Sequence, residues 1–156
     1  MKGVYLLILQ LSAELEALPV GRLGRFDFAA GFYLSVGSAL GSGGIAGRLA
    51  RHERGPLGRP HWHIDYLRAH ASLLETWGLA TADPRMERCW ADGLAGTAGL
   101  SIPAAGFGAT DSGAASHLFY APTMPARVLL LETLLHCAEQ LGAREFTLDI
   151  RDYRGR

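Results

Sequence analysis

The sequence contains few cysteines, no long apolar run and no excess of charge of either sign. Its two cysteines, Cys89 and Cys137, lie far apart and neither belongs to a C-x-x-C pair. That spacing argues against a disulfide framework or a cysteine zinc site and suits a reducing cytoplasm. The apolar N-terminal run is short, is followed at once by Glu14 and Glu16, and lacks a small-residue cleavage site. No segment approaches the length of a membrane span, and we expect a soluble cytoplasmic protein with no membrane partner.

The balance of charge argues against a general electrostatic affinity for nucleic acid or for an anionic membrane. The chain has 15 Lys and Arg residues and 15 Asp and Glu residues, so its formal net charge is zero. Between positions 48 and 68, however, five arginines accompany only two acidic residues, Glu53 and Asp65. Such a local basic bias suits the phosphate backbone of a nucleic acid.

The composition predicts one ordered domain. Of the 156 residues, 49% are hydrophobic and 19% are charged, which is typical of a folded globular protein with a sizeable core. The chain shows no internal repeat, no low-complexity tract and no obvious linker. We therefore expect a single α/β domain with a C-terminal helix and strand.

Alternation and turn residues predict three strands and one helix in the first third of the chain. The aliphatic run GVYLLILQL predicts a buried strand. RFDF and GFYLSVG predict two more, and the second of these should pair with the first strand of the chain. ELEALPVGRLG, which contains Pro19, predicts an irregular connection. GIAGRLARHER has helical spacing and should end at GPLGRP, because proline does not continue a helix.

The remaining sequence predicts three helices and three strands. A short helix should precede a strand at LLETWGLA, and a second helix should begin with Asp83 as N-cap and Pro84 in its first position. SHLFY predicts a short strand. MPARVLLLETLLHCAEQLGA predicts an amphipathic helix, and REFTLDI alternates as an edge strand would.

Two motifs invite a ligand-binding interpretation. The turn GSALGSGG lacks the lysine of a phosphate loop and the spacing of a dinucleotide fingerprint, so it is a weak nucleotide-binding signal. If HWHID is extended, His61, His63 and Asp65 share one face, an arrangement that suits zinc or another divalent metal. Hydrogen-bonded structural histidines remain the alternative interpretation.

Three further residues are candidates by position. Arg48 and His52 lie one turn apart on the helix that follows the glycine-rich turn, so both side chains should face the mouth of the sheet. Glu87 lies in the first turn of the helix predicted after Pro84. A carboxylate there also stabilises the helix dipole, which is the alternative to a functional role.

Five short motifs occur in an order that resembles a known superfamily. They are VGRLGRFDFAAGFYLSVGSAL, RLARH, HWHIDYL, ERCWA and GFGATDSGAASHLFY, preceded by GVYLL near the start. Together they cover roughly residues 3 to 121. They resemble the GIY-YIG nuclease superfamily, and more closely the branch called DUF123.

The resemblance implies an α+β fold: a small, mainly antiparallel sheet flanked by helices. It implies a GIY-YIG-like domain over residues 1–122 and a C-terminal extension, residues 123–156, packed on that domain. It also implies a nucleic-acid partner, DNA being the preferred choice, and phosphodiester cleavage with Mg²⁺ or Mn²⁺. The residues implied are Tyr5, the position of Ser35, and Arg48 around the phosphate, with Glu87 as the metal ligand. His52 follows Arg48 and is included as a catalytic candidate.

The sequence departs from the superfamily pattern at two places. The second motif usually carries a tyrosine where this chain has Ser35, and Tyr33 lies two residues earlier on the same face of the strand. Tyr33 is therefore a candidate replacement. In the last motif Ser112 and Ala114 stand where the family resemblance leads us to expect cysteines.

Polar residues from the branch-specific motifs form a second tier of candidates. His61, His63, Asp111 and His117 fit the wall of a site, or they brace the sheet through hydrogen bonds. Two alternatives to the nuclease therefore stay open. One is a binding module of the same fold that has lost catalysis with Ser35, and the other is a His/Asp metalloenzyme acting through His61, His63 and His117.

Overall fold

A computed structural model describes residues 1–56, 58–143 and 145–155 of the chain. The strands and helices alternate in short groups rather than as repeated βαβ units. In chain order they are β1 Gly3–Leu11, β2 Leu15–Val20, β3 Gly24–Phe28, β4 Gly31–Ala39, α1 Gly44–Arg54, α2 His63–Arg68, β5 Ser72–Ala80, α3 Met86–Ala95, β6 Leu118–Ala121, α4 Arg127–Gln140 and β7 Leu148–Asp152.

A five-stranded sheet in the order β6-β4-β1-β5-β7 forms the centre of the molecule. Every neighbouring pair in it is antiparallel. The predicted pairing of the first strand with GFYLSVG is present as β1 against β4, with Tyr5 opposite Gly37. The prediction of an α+β fold with a mainly antiparallel sheet is confirmed.

Strand β1 is apolar along nearly its whole length because both faces of the sheet are covered. One face carries Val4, Leu6 and Ile8 and packs against α3 and α4. The other face carries Tyr5 and Leu7 and packs against α1, α2 and the hairpin formed by β2 and β3. A strand buried on both faces reads as a continuous hydrophobic run, and this explains the unbroken GVYLLILQL.

The prediction of an irregular connection over ELEALPVGRLG is wrong, because β2 forms there and pairs with β3 in a second sheet. The register of this pair shifts between Leu15 and Leu18, and Ala17 has a positive φ of 51°. A bulge of this kind interrupts the side-chain alternation by which a strand is recognised. Pro19 fits this two-stranded ribbon because a ribbon edge leaves backbone N–H groups unpaired.

The extended arrangement in which His61, His63 and Asp65 would share one face is not present, and the short helix predicted before LLETWGLA forms there as α2. Helix α2 begins at His63, and the preceding Trp62 is its N-cap. The Asp65 carboxylate accepts the backbone N–H groups of His61 at 2.7 Å and Trp62 at 2.9 Å. An acidic side chain at the third helical position thus closes the helix start, and the alternation of an extended strand does not apply.

Helix α3 begins two residues later than Pro84, at Met86. Asp83 still caps local structure: its carboxylate accepts the backbone N–H of Arg85 at 2.9 Å and binds the Arg85 guanidinium. These contacts build a turn ahead of the helix rather than the N-cap of the helix itself.

The predicted final helix and strand are present as α4 and β7. Helix α4 lies close to α3 at Gly93, where an added Cβ would be 2.9 Å from Cγ2 of Thr133. Strand β7 adds to the edge of the sheet beside β5. No helix in the described part of the chain is both long and apolar enough to cross a membrane.

Candidate active site

A solvent-open cavity of about 350 Å³ lies beside the second half of β4. Strand β6 pairs only with Phe32–Ser35 of β4 in the described register, and the last contact of this edge is the N–H of Val36 on the carbonyl of His117. Beyond that point the edge of β4 borders the cavity. Most of the candidate residues line it: Tyr5, Ser35, Arg48, His52, His63, Glu87, Asp111 and His117.

The glycine of the YLSVGSA motif makes room for the ring of Tyr5. Gly37 lies opposite Tyr5 in the β1–β4 pair. A Cβ on Gly37 would lie 2.4 Å from Cζ of that ring, which no side chain tolerates without movement. Glycine at this position therefore lets the phenol cross β4 and reach α1.

The hydroxyl of Tyr5 lies 3.0 Å from Nε2 of His52, and both side chains are buried. Burial, with the neighbouring Arg51 guanidinium, lowers the pKa of His52 to about 4. Burial raises the pKa of Tyr5 to about 12, although the adjacent Arg48 guanidinium opposes that shift. At neutral pH a neutral phenol and a neutral imidazole therefore share this hydrogen bond.

Two arginines of α1 lie against the indole of Trp62. The guanidinium carbons of Arg48 and Arg51 are 4.3 and 4.2 Å from the ring centroid. Arg51 also forms a bidentate pair with Asp65, with both N–O distances at 2.8 Å. Burial disfavours the charged form of Asp65, but the bonds from Arg51 and from the backbone of Trp62 and His61 prevail and lower the pKa of Asp65 to about 2.

Arg48 lines the cavity without an ion-pair partner among the described residues. Its guanidinium donates to the carbonyl of Ser38 at 3.0 Å. Within the described ranges no carboxylate lies at ion-pair distance from it, whereas Arg51 is neutralised by Asp65. The two arginines therefore differ in their surroundings: Arg51 links α1 to the start of α2 through Asp65, whereas Arg48 faces the cavity.

Glu87 reaches the cavity from the other face of the sheet, on the first turn of α3. Its carboxylate oxygen lies 4.0 Å from Nδ1 of the buried His117. The charge of Glu87 acts on Tyr5 as well, since it favours the protonated phenol. The cavity thus has an acidic side at Glu87 and a basic side at Arg48.

His63 holds the loop that closes the cavity. Its Nδ1 accepts the backbone N–H of Gly108 at 2.8 Å, and its ring lies edge-on to Phe107 at 5.6 Å. Burial lowers the pKa of His63, so the ring remains an acceptor at neutral pH. Asp111, on the same loop, is exposed at the rim.

Ser35 lies on the cavity floor and is almost fully buried. Tyr33, the candidate replacement for the missing phenol, does not reach the cavity. Its hydroxyl donates to the carbonyl of Ala29, and its ring packs on Phe28 and Tyr120. Burial raises the pKa of Tyr33, which fits a structural phenol in the core.

His61 does not line the cavity either. Its ring lies edge-on to the ring of Trp62, with the two ring centroids 4.9 Å apart. Among the described residues, no three His, Cys, Asp or Glu side chains form a group that could hold a metal ion. Together with the helical start at His63, this geometry does not support a metal site built from the HWHID motif.

Trp62 and Ser112 line the cavity although neither is a candidate site residue from the sequence. The signal for Trp62 is an aromatic residue that follows an arginine-rich helix, because a guanidinium stacks on an indole. For Ser112 the sequence offers no signal beyond its place where a cysteine is expected. The Ser112 hydroxyl lies 3.1 Å from Nε2 of His117.

Comparison with known proteins gives a family and no closer relative. A protein-family model described as a domain of unknown function, DUF123, matches residues 4–140. No curated protein and no solved structure matches the chain. Because the family model covers most of the sequence, this chain belongs to the DUF123 family.

Proposed function

We propose that this cavity binds the phosphodiester backbone of a nucleic acid and hydrolyses it with a divalent metal ion, as GIY-YIG nucleases do. One observation carries the proposal. Tyr5, Arg48 and His52 approach from one face of the sheet, and Glu87 approaches from the other, and all four line a single solvent-open cavity. DNA is the first substrate to test.

Arg48 is the phosphate-binding group in this proposal. Its guanidinium has no carboxylate partner among the described residues and is stacked against Trp62. A planar guanidinium that is already oriented loses little freedom when it binds a phosphate oxygen. The same charge stabilises the phosphorane more than the ground state, because negative charge increases there.

Tyr5 and His52 form a path for the proton of the attacking water. The high pKa of Tyr5 makes its phenolate too scarce to act as a base near neutral pH. A phenol that hydrogen-bonds to a neutral imidazole can instead accept a proton from water while it passes its own to His52. The negative charge of a bound phosphate favours this step, because it stabilises the imidazolium that results.

Glu87 is the metal ligand in this proposal. A single carboxylate facing a wet cavity fits Mg²⁺ or Mn²⁺, since Mg²⁺ retains several water molecules when it binds a protein. When bound, such an ion supplies Lewis-acid stabilisation of the leaving oxygen. The residues of the chain do the rest: they hold the phosphate, order the water and move its proton.

Ser35 favours a second candidate, a module that binds nucleic acid without cutting it. The side chain is almost completely buried and brings no phenol to the cavity. The remaining groups of the cavity still bind a phosphate. The two candidates differ in turnover alone.

The test compares binding and cleavage of labelled single-stranded, duplex and branched oligonucleotides in Mg²⁺. We expect Arg48→Ala and Glu87→Gln each to reduce cleavage at least 100-fold. The matched controls Arg22→Ala and Glu139→Gln, at exposed positions outside the cavity, should cleave like wild type.

The outcomes separate the candidates. Cleavage that survives both cavity substitutions would show that the active site is elsewhere. A wild-type protein that binds the oligonucleotides, loses binding in Arg48→Ala and never cleaves would identify the binding module. If wild-type protein neither binds nor cleaves any of the substrates, the proposed function is wrong.

A further inference from the structure

A short polar chain runs from the loop over the cavity to Glu87 and has no role in the steps above. Ser112 Oγ lies 3.1 Å from Nε2 of His117, and Nδ1 of His117 lies 4.0 Å from Oε2 of Glu87. The imidazole between them is 3% exposed. A buried ring with a polar group at each nitrogen has one of its two tautomers selected by its neighbours.

The His117 ring is anchored before any ligand binds. Its backbone N–H donates to the carbonyl of Phe107 at 2.8 Å, and its own carbonyl accepts the N–H of Val36 at 2.9 Å. A Cβ on Gly108 would lie 3.2 Å from the His117 Cβ, so the loop passes closely over the residue. The ring is therefore fixed between the loop and β4.

Ser112 is fixed relative to the helix that carries Glu87. The Arg88 guanidinium donates to the carbonyl of Ser112 at 2.8 Å, and Arg88 is itself held by Asp92 on the same helix. The Ser112 hydroxyl accepts the N–H of Ala114 at 3.2 Å. These contacts place the hydroxyl at a constant position next to the imidazole.

The proton inventory of the three groups points to one arrangement. The His117 ring is buried, and no carboxylate in the described part of the chain lies within hydrogen-bond distance of it, which favours the neutral imidazole with a single proton. The Ser112 hydroxyl has two acceptors in reach, and Nε2 of His117 is nearer than the carbonyl of Ala109 at 3.4 Å. A lone pair on Nδ1 would face a carboxylate, whereas a proton on Nδ1 is attracted to it.

We propose that Ser112 and His117 are positioning residues: the Ser112 hydroxyl donates to Nε2, fixes His117 in the Nδ1–H tautomer, and so aims an N–H at the Glu87 carboxylate. At 4.0 Å this second contact is electrostatic and orients the carboxylate rather than binding it tightly. The effect of this orientation on metal binding rests on the function proposed above. The tautomer of His117 does not depend on that function.

Imidazole nitrogen NMR on the full-length protein tests the tautomer directly, with His117 assigned by its loss in His117→Gln. We expect the Nδ1–H pattern in wild type and a large Nε2–H population in Ser112→Ala. Ser112→Thr keeps the hydroxyl and should keep the Nδ1–H pattern, and Thr110→Ala, an exposed change in the same loop, is the control. An Nε2–H ring in wild type, or an unchanged tautomer in folded Ser112→Ala, would overturn the proposal.

The contact with Glu87 has its own readout, which needs neither metal nor substrate. Glu87→Ala should shift the Nδ1 and Hδ1 resonances of His117, because the carboxylate that faces them is gone. Resonances that stay in place would refute this part of the chain. Circular dichroism of each variant establishes that it is folded.

Titration with Mn²⁺, followed by the electron paramagnetic resonance of the free ion, measures the consequence. We expect Ser112→Ala to weaken Mn²⁺ binding about tenfold, as losses of groups that orient a ligand commonly do, and Thr110→Ala to leave it unchanged. Equal Mn²⁺ affinity in Ser112→Ala despite a changed tautomer would disprove the orienting role. A wild type that binds no Mn²⁺ would refute the metal role of Glu87 in the proposed function, while the resonance experiments would still decide the hydrogen-bonded chain.

Discussion

At the scale of single residues, the cavity depends as much on a missing side chain as on those that are present. Tyr5 reaches His52 only because Gly37 leaves the space above β4 empty. The glycine has no chemistry of its own, and its φ is not what requires it. Its importance is steric.

Gly37→Ala should displace the Tyr5 ring and break its contact with His52. We expect a loss of roughly 1–3 kcal/mol in the free energy of unfolding, because a methyl group is forced into filled space, together with a loss of cleavage. Gly47→Ala is the matched control: apart from its own turn of helix, nothing in the described part of the chain lies within 4 Å of a Cβ at that exposed position. It should gain about 1 kcal/mol. Urea unfolding measures both, and equal stabilities would show that Gly37 is not a packing requirement.

His52 makes the stability depend on pH. Its pKa is lowered from 6.5 to about 4 in the folded state, so between these values the unfolded chain binds the extra proton. Its contribution is complete above about pH 6.5 and is lost as the pH falls towards 4, and it amounts to at most about 3 kcal/mol. Burial lowers the pKa of His63 and His117 too, so these residues also reduce the stability of the fold as the pH falls.

Urea unfolding of wild type and of His52→Gln at pH 7.5 and pH 4.5 measures this term. The variant should lose less stability on acidification than wild type. The exposed His136→Gln is the control and should behave like wild type. If His52→Gln shows the full wild-type pH dependence, the buried neutral imidazole is not its source.

At the scale of elements, the site forms where two layers of the structure meet at one edge. Helix α1 packs on one face of the sheet and α3 on the other. If β6 paired with the whole of β4, the sheet would separate the two helices completely. Because β6 pairs only as far as Ser35, the loop that ends at His117 turns in beside β4. Arg48 and Glu87 can then face the same cavity.

A buried carboxylate joins three elements near the β7 edge of the sheet, away from the cavity beside β4. Glu75 of β5 is 1% exposed and binds Arg127 of α4 and Arg154 after β7, each at 2.8 Å. It also accepts the indole N–H of Trp77 at 3.1 Å. The C-terminal helix and strand are thereby tied to the central sheet.

Removing both arginines should cost more than the sum of the single changes. Arg127→Ala and Arg154→Ala each leave one partner for Glu75, whereas the double variant leaves a buried charge unpaired, at a cost of roughly 3–5 kcal/mol. Urea unfolding of the double-mutant cycle measures the coupling. Additive losses would show that Glu75 does not depend on the pair. Adding Glu75→Gln to the double variant should restore part of the stability.

At the scale of the whole molecule, the net charge of zero means that the proposed binding of nucleic acid depends on a local surface. The structure divides the five arginines of positions 48 to 68 into two classes. Arg51 forms an ion pair with Asp65. Arg68 donates hydrogen bonds to backbone carbonyls, including those of His52 and Ala71. The others, Arg48, Arg54 and Arg59, are more available to a phosphate backbone.

Binding of DNA should therefore weaken with salt, but only moderately. Three phosphate contacts give a slope of about −2.7 for the logarithm of affinity against the logarithm of salt concentration. Arg54→Ala and Arg59→Ala should each make the slope shallower by about 1, and Arg22→Ala should not. Fluorescence anisotropy at several salt concentrations measures the slope. Affinity that is independent of salt would refute a phosphate-tracking surface.

Local sequence was enough for most elements, and the resemblance to a family supplied Tyr5, Ser35 and Glu87 of the cavity. Strand β1 follows from its continuous apolar run, and the helix of Arg48 and the final helix follow from the spacing of their apolar residues. Local sequence failed at β2, where a bulge hides the alternation. The short helix predicted before LLETWGLA is present as α2, and the Asp65 carboxylate closes its start. Tyr33 was misplaced because sequence shows the face of a strand but not how far along it the cavity extends.

The sequence by itself determined the apolar strands, the arginine helix and the order of motifs that marks the family. Each of these depends on neighbouring residues in the chain. Only the tertiary structure decided which charges are free, since Arg51 meets Asp65 and Arg48 does not. It also decided that the His117 imidazole lies between Ser112 and Glu87. Pairings across such distances in the chain arise from the packing of layers, and no local pattern encodes them.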